Sequence, residues 1–287
     1  MTGIPVRKPK APHPRNLLYL TNARTMSHEQ NIDHGSFCAV EHVNHALAME
    51  ITDYLDISAG SIAAIVGCGG KTSFLELMTK KLRDKKTLVS PTTKMFPLKA
   101  DGVILCETLR QCCAHAPQTG IQCLGLRNAA TGKLEALPGR VLERLIQRYD
   151  VALLEADGSR GLPAKGWLTN EPVVPRYCTH TVGVITLGAL GRAAEGTAVH
   201  RLPQFLTLTG LMEGGTITPQ ALEAMVCAKN GMFKNSAGRR FLLVNQVEDD
   251  VTARAALVFL RMIKKQYPDY FEKLIYGSIH LDAWQEA

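Results

Sequence analysis

The sequence predicts an α/β fold with a mostly parallel sheet flanked by helices. Three observations carry this. An apolar run, Ile62-Ala63-Ala64-Ile65-Val66, meets a glycine turn and then Lys71-Thr72-Ser73 at the head of an amphipathic stretch. A second apolar run, Val151-Ala152-Leu153-Leu154, ends in Glu155 and Asp157. Strand-like and helix-like segments alternate along most of the chain, as βαβ units require.

The first run and its turn, Val66-Gly67-Cys68-Gly69-Gly70-Lys71-Thr72-Ser73, have the order of a phosphate cradle. Glycines let backbone N–H groups approach an anion closely, and a helix N-terminus adds free N–H groups and a positive dipole end. Gly67, Gly69 and Gly70 would shape the turn, Lys71 would reach the terminal phosphates, and Thr72 or Ser73 would hold Mg²⁺. The loop is a shortened G-x-x-G-K-T, because Ile65 stands where the longer pattern wants glycine. Phe74, Leu75, Leu77, Met78 and Leu82 give the following helix its apolar face. Together these features make the expected fold P-loop NTPase-like.

Upstream, residues 50–56 read as a short helix leading through Ser58-Ala59-Gly60 into the first strand. Downstream, Thr87 to Ser90 reads as a second parallel strand. Ligands bind at the carboxyl ends of strands in open α/β sheets, which places Thr92, Thr93 and Lys94 toward the phosphates, Lys94 as a candidate catalytic group. Residues 102–106 form a third strand. Residues 122–126 and 133–136, flanking Ala130-Thr131-Gly132, suggest a β-hairpin, and residues 138–148 a helix.

In the acidic run, Glu155 and Asp157 alternate by two and share a face. A strand ending in acids delivers a carboxylate to a nucleotide-bound Mg²⁺. Asp157 is the candidate catalytic and metal residue, with Glu155 behind it. The segment from Gly161 to Pro175 reads as a long irregular loop, and Arg160 just before it and Lys165 within it are candidates for an anionic substrate. Further strands are expected over 181–187, 240–248 and 274–279, with helices from His200-Arg201, from Thr218-Pro219 and over 252–265.

The 287 residues, 46% of them hydrophobic, suffice for one large core. Residues 1–48, rich in proline and carrying His28, His34, His42 and His45, read as a flexible extension, and residues 49–287 as the folded domain. The net charge of +7 is scattered, and basic runs such as Lys80 to Lys86 lack interleaved aromatics, which argues against nucleic acid. Eight cysteines without a CxxC pair suit a reduced cytoplasmic protein. No apolar run approaches the ~18 residues of a membrane span.

The motifs resemble those of the YqeC family, named as accessory proteins for selenium-dependent molybdenum hydroxylases. They are Val66 to Ser73, Pro91-Thr92-Thr93-Lys94-Met95-Phe96, and Glu155-Ala156-Asp157-Gly158-Ser159-Arg160-Gly161. Lys165 with Glu171-Pro172-Val173, Val199-His200-Arg201, Ile217-Thr218-Pro219 and the strand ending in Asn245 also match. The resemblance implies a Mg²⁺-dependent ATP- or GTP-binding accessory protein that matures or inserts a selenium-containing molybdenum cofactor. Its partners would be the hydroxylase or cofactor-maturation proteins. His200 and Arg201 then join Arg160 and Lys165 as substrate candidates, and Asn245 joins the cofactor-binding set. Two positions depart from the family. Cys68 replaces a small residue, and Asn245-Gln246-Val247-Glu248 stands where the family often has the guanine-reading Asn-Lys-x-Asp. The choice between ATP and GTP stays open. So do two alternatives: an ATP-dependent ligase or transferase, whose short loop resembles that of Mur-type ligases, and a non-catalytic cofactor carrier.

Overall fold

The structure, a computed structural model, describes residues 49–287. The expected N-terminal extension and its four histidines lie outside the described residues.

The centre is a nine-stranded sheet. Its middle strand, β1 (Ile62–Gly67), is followed by helix α1's successor in the chain, the loop helix: α1 is Ile51–Tyr54 and α2 is Lys71–Lys81. Strand β2 (Lys86–Pro91) leads to a short β3 (Lys94–Met95) outside the main sheet. Then come β4 (Ile104–Cys106), α3 (Leu109–Ala114), β5 (Gly120–Leu124), β6 (Leu126–Asn128), β7 (Lys133–Glu135) and α4 (Gly139–Ile146). The acidic strand β8 (Val151–Glu155) precedes β9 (Ala164–Lys165), β10 (His180–Thr186), β11 (Val199–His200), α5 (Leu202–Thr209) and α6 (Pro219–Cys227). The chain closes with β12 (Arg239–Asn245), α7 (Asp250–Gln266), β13 (Lys273–Ser278) and β14 (Ala283–Glu286).

The sheet order is β14-β13-β12-β10-β1-β8-β2-β5-β4, parallel throughout except for the β13/β14 pair. The mostly parallel α/β architecture expected from the sequence is therefore the one observed. Because β8 is inserted between β1 and β2, its acidic end emerges directly beside the glycine loop. Register pairs Ile65 with Glu155 on one side and Pro91 with Glu155 on the other.

Parallel strands need both faces covered. Along β1, Ala63 and Ile65 pack with Phe74, Leu75 and Met78 of α2 and with Ile51 and Leu55. Ala64 and Val66 point the opposite way, into a second cluster with Leu142 of α4, Phe205 of α5, Leu222 of α6 and Phe259 of α7. Helix caps follow the sequence: the Thr218 hydroxyl accepts from Ala221 N at 3.3 Å, with Pro219 at the first helical position.

Three elements differ from expectation. The hairpin is narrower than the sequence suggests. Its strands are β6 and β7, which join β3 in a separate three-stranded sheet, while Gly120–Leu124 pairs in parallel with β2 and β4. Alternation within residues 122–126 does not reveal that the chain changes sheets at Gly125, where a Cβ would lie 2.8 Å from that of Leu134. The loop after Gly161 contains β9, paired in parallel with β11. The sheet also gains β14 at its edge, antiparallel to β13.

Candidate functional site

Gly67 and Gly70 adopt φ of +108° and +103°, which favours residues without a Cβ. Gly69 passes so close to the backbone of Ile185 that a Cβ would overlap it. The three glycines thus allow the loop to close tightly onto β10. Cys68 N and Gly69 N both donate to Val184 O at 2.9 Å, and Gly67 N donates to the Asp157 carboxylate at 3.1 and 3.2 Å. The N–H groups of Gly70, Lys71, Thr72 and Ser73 have no partner among the described residues. The free donors of the cradle are therefore those of the helix start, and the donors of residues 67–69 hold the loop's shape.

Asp157 is fully buried and anchors the site. Lys71 Nζ lies 3.1 Å from Oδ1 and also donates to Gly67 O at 2.5 Å. Lys165 Nζ lies 3.1 Å from Oδ2, and Trp167 Nε1 donates to the same oxygen at 2.6 Å. Burial alone would raise the Asp157 pKa; the Lys71 and Lys165 ammoniums, with the Trp167 bond, outweigh it and hold the carboxyl below its ordinary value. Burial would likewise discharge Lys71, but Asp157 and Glu155 keep its pKa above the usual lysine value.

Glu155, expected behind Asp157, is the carboxylate with spare capacity. It is buried, and its Oε2 has no hydrogen-bond partner among the described residues. Burial pushes its pKa up to about 7, with Lys71 opposing. Thr93 Oγ1 is also buried without a partner. Thr92 instead spends its hydroxyl on Val173 O at 2.6 Å.

The structure gathers some of the other candidates and disperses the rest. Asn245 is buried beside the loop: its Nδ2 donates to Gly69 O at 2.7 Å, and its Oδ1 accepts from Ile279 N at 2.9 Å. Lys94 lies on the three-stranded sheet, more than half exposed, and pairs with Glu135 Oε1 at 2.7 Å. Lys165 is wholly buried on Asp157 and also lies 3.5 Å from Glu171, so it supports the loop from within. Arg201 pairs with Glu171 at 2.6 Å. Burial and the cations Lys165, Arg201 and Arg160 push the His200 pKa down to about 4. Arg160 is exposed.

Cys68 is buried and its Sγ donates to Pro163 O at 3.3 Å. A helix N-terminus near a thiol suggests a depressed pKa. Here burial dominates and pushes the thiol up to about 12. Its sequence role as a stand-in for a small residue fits that environment.

Sequence reasoning missed Trp167. The available signal was its two-residue spacing from Lys165, which in extended chain places both side chains on one face. No group of three His, Cys, Asp or Glu residues suited to a metal occurs among the described residues. No described helix is long and apolar enough to cross a membrane.

A family model described as YqeC protein matches residues 63–203, which run from β1 to the start of α5 and include the loop, both acids and the Lys165–Arg201 segment. A relative from Escherichia coli (strain K12), named Uncharacterized protein YqeC, is 31% identical over 214 residues, covering 71% of this chain and 83% of the relative.

Proposed function

This chain belongs to the YqeC family, and we propose that it is a Mg²⁺-dependent nucleoside triphosphatase that serves as an accessory protein in maturing or inserting a selenium-containing molybdenum cofactor. The observation that carries the nucleotide reading is the set of free N–H groups from Gly70 to Ser73, with the Lys71 ammonium buried beside them. Four convergent donors at a helix start, with a cation alongside, suit a phosphate group.

Lys71 would exchange its bond to Gly67 O for a phosphate oxygen while Asp157 Oδ1 keeps hold of the same ammonium. Asp157 keeps the Gly67 N–H and so preserves the loop's shape during that exchange. The residues available to a magnesium ion fit it. Thr72 is exposed in the first helical turn, and Glu155 offers an unpartnered oxygen. An ion shared with phosphates needs only one or two protein ligands, so a three-residue protein cluster is not required. Bound there, Mg²⁺ would neutralise charge on the phosphates. Thr93 would orient the attacking water through its unpartnered hydroxyl oxygen.

Titration of ATP and GTP, with and without Mg²⁺, on wild type and Lys71→Ala tests this reading. Mg²⁺-dependent binding and turnover are expected, both lost in Lys71→Ala. Unchanged affinity and turnover in the variant would rule out the cradle. Turnover that starts only with a molybdopterin substrate would favour a ligase or transferase.

The accessory role is supported by the motif resemblance. A selenium-dependent molybdenum hydroxylase isolated from cells without this protein is expected to lack selenium. Full selenium content in that preparation would remove the role.

A further inference from the structure

An unbroken chain of ion pairs runs from the start of α2 to the start of α5. Lys71 Nζ lies 3.1 Å from Asp157 Oδ1, and Lys165 Nζ lies 3.1 Å from Asp157 Oδ2. Lys165 Nζ also lies 3.5 Å from Glu171 Oε2, and Arg201 Nη2 lies 2.6 Å from Glu171 Oε1. Exposure rises along the chain. The Asp157 and Lys165 side chains are wholly buried, while that of Arg201 is 26% exposed. Arg201 therefore ends the chain at the surface, with Asp157, Lys165 and Glu171 between it and Lys71. Three cations alternate with two acids, which leaves one positive charge over.

The surface end gathers further positive charge. Parallel pairing of β9 with β11 sets His200 opposite Lys165. The half-buried His200 ring lies in the field of Lys165, Arg201 and Arg160, opposed by Glu171. Burial and those cations keep it neutral at pH 7, so the ring has one N–H to donate. Glu171 takes one guanidinium nitrogen of Arg201, and the buried Nε has no partner among the described residues. Arg160 is exposed. Both arginines hold left-handed backbone, with φ of +55° and +59°. Residues with a Cβ adopt that region rarely, and such positions cluster at ligand sites.

We propose that Arg160, His200 and Arg201 form a second anion site, which takes the phosphate monoester group of a ligand other than the nucleotide. The proposal goes beyond the nucleotide reading and does not depend on it. A guanidinium presents a planar fork of donors that matches phosphate and carboxylate alike. Two arginines beside a neutral imidazole favour a dianion, which supplies one charge for each arginine. A phosphate monoester also offers three terminal oxygens, one for each side chain, where a carboxylate offers two. Glu171 fixes Arg201, and Lys165, itself held on Asp157, fixes Glu171. The central cation of the site is thus in position before a ligand arrives, which lowers the cost of binding.

Phenyl phosphate, inorganic phosphate and benzoate would be titrated against the full chain as wild type, Arg160→Gln and Lys71→Ala. The His200 ring signals, assigned by their absence from His200→Asn, would be followed by NMR across pH. Phenyl phosphate is expected to bind wild type most tightly and to raise the His200 pKa from about 4 to above about 5, because a neighbouring dianion favours the imidazolium. Arg160→Gln is expected to weaken that binding about tenfold, the scale of one hydrogen bond to a charged group. Lys71→Ala is expected to keep it. Binding lost in Lys71→Ala but kept in Arg160→Gln would put the phosphate in the cradle and overturn the second site. Benzoate bound as tightly as phenyl phosphate would overturn the phosphate class, and inorganic phosphate bound more tightly would assign the site to free phosphate in place of the monoester. No binding of phenyl phosphate, or a His200 pKa that stays near 4 at full occupancy, would overturn the site from wild type alone, whether or not either variant folds. The ATP and GTP titrations test the cradle separately, so each reading can fail without the other.

Discussion

Trp167 Nε1 donates to Asp157 Oδ2 at 2.6 Å, and Lys165 shares that oxygen while its ammonium sits 5.3 Å from the centre of the Trp167 ring. The indole therefore both bonds the buried carboxylate and supports one of its two cations. The Asp157 anion is in this way connected to the glycine loop on one side and to the β9 segment on the other.

Asp157→Ala is expected to cost about 3–5 kcal/mol, because it would leave the buried ammoniums of Lys71 and Lys165 without their shared anion. Urea denaturation would measure it. A loss below about 1 kcal/mol would mean that the two lysines find water or other partners without strain.

Trp167 also makes the site visible. In a Trp284→Phe background, Trp167 is the sole tryptophan of the chain. Saturating Mg²⁺-nucleotide is expected to change its emission as Lys71 redistributes between Asp157 and phosphate. An unchanged spectrum at full occupancy would mean that Asp157 and its neighbours do not sense the ligand.

Gly69→Ala and Gly139→Ala should diverge. The first forces a Cβ into the Ile185 backbone and is expected to destabilise the fold by about 2–3 kcal/mol. The second faces open space in the first turn of α4 and is expected to be neutral or to gain up to about 1 kcal/mol. Thermal unfolding of the pair would check both; equal effects would contradict the close approach at Gly69.

His200 contributes a pH dependence of definite sign. Its folded pKa is pushed down to about 4, while the unfolded chain takes up the proton near 6.5. The unfolded state therefore binds more protons between those values, and stability falls as pH is lowered through that window. His200→Asn is expected to flatten the decline in urea midpoint between pH 6.5 and 4.

Thiol reactivity should separate Cys68 from Cys113. Cys68 is buried with its pKa at about 12, whereas Cys113 is exposed. Native alkylation followed by mass spectrometry is expected to modify Cys113 and spare Cys68. Rapid labelling of Cys68 would reopen a role for its sulfur.

The alternation of strands and helices, the glycine loop at the head of α2 and the acidic end of β8 are all legible in the order of the residues. These are local signals: periodicity, turn chemistry and the need of a parallel strand to be apolar on both faces. Lys71 and Asp157 follow from the same signals, and Asn245 from the motif resemblance, as members of one site. How their chemistry is divided follows from the packing of the strands. Four donors converge on Asp157 because β8 lies beside β1 and β9 packs over its end, and no spacing in the chain states that adjacency. The same packing leaves Glu155 with an open oxygen, turns Lys94 to Glu135, and buries Lys165 on Asp157 where the sequence offered it to an anionic substrate. Charge placement in a folded interior depends on which strands become neighbours, and that is settled by the burial of the whole sheet.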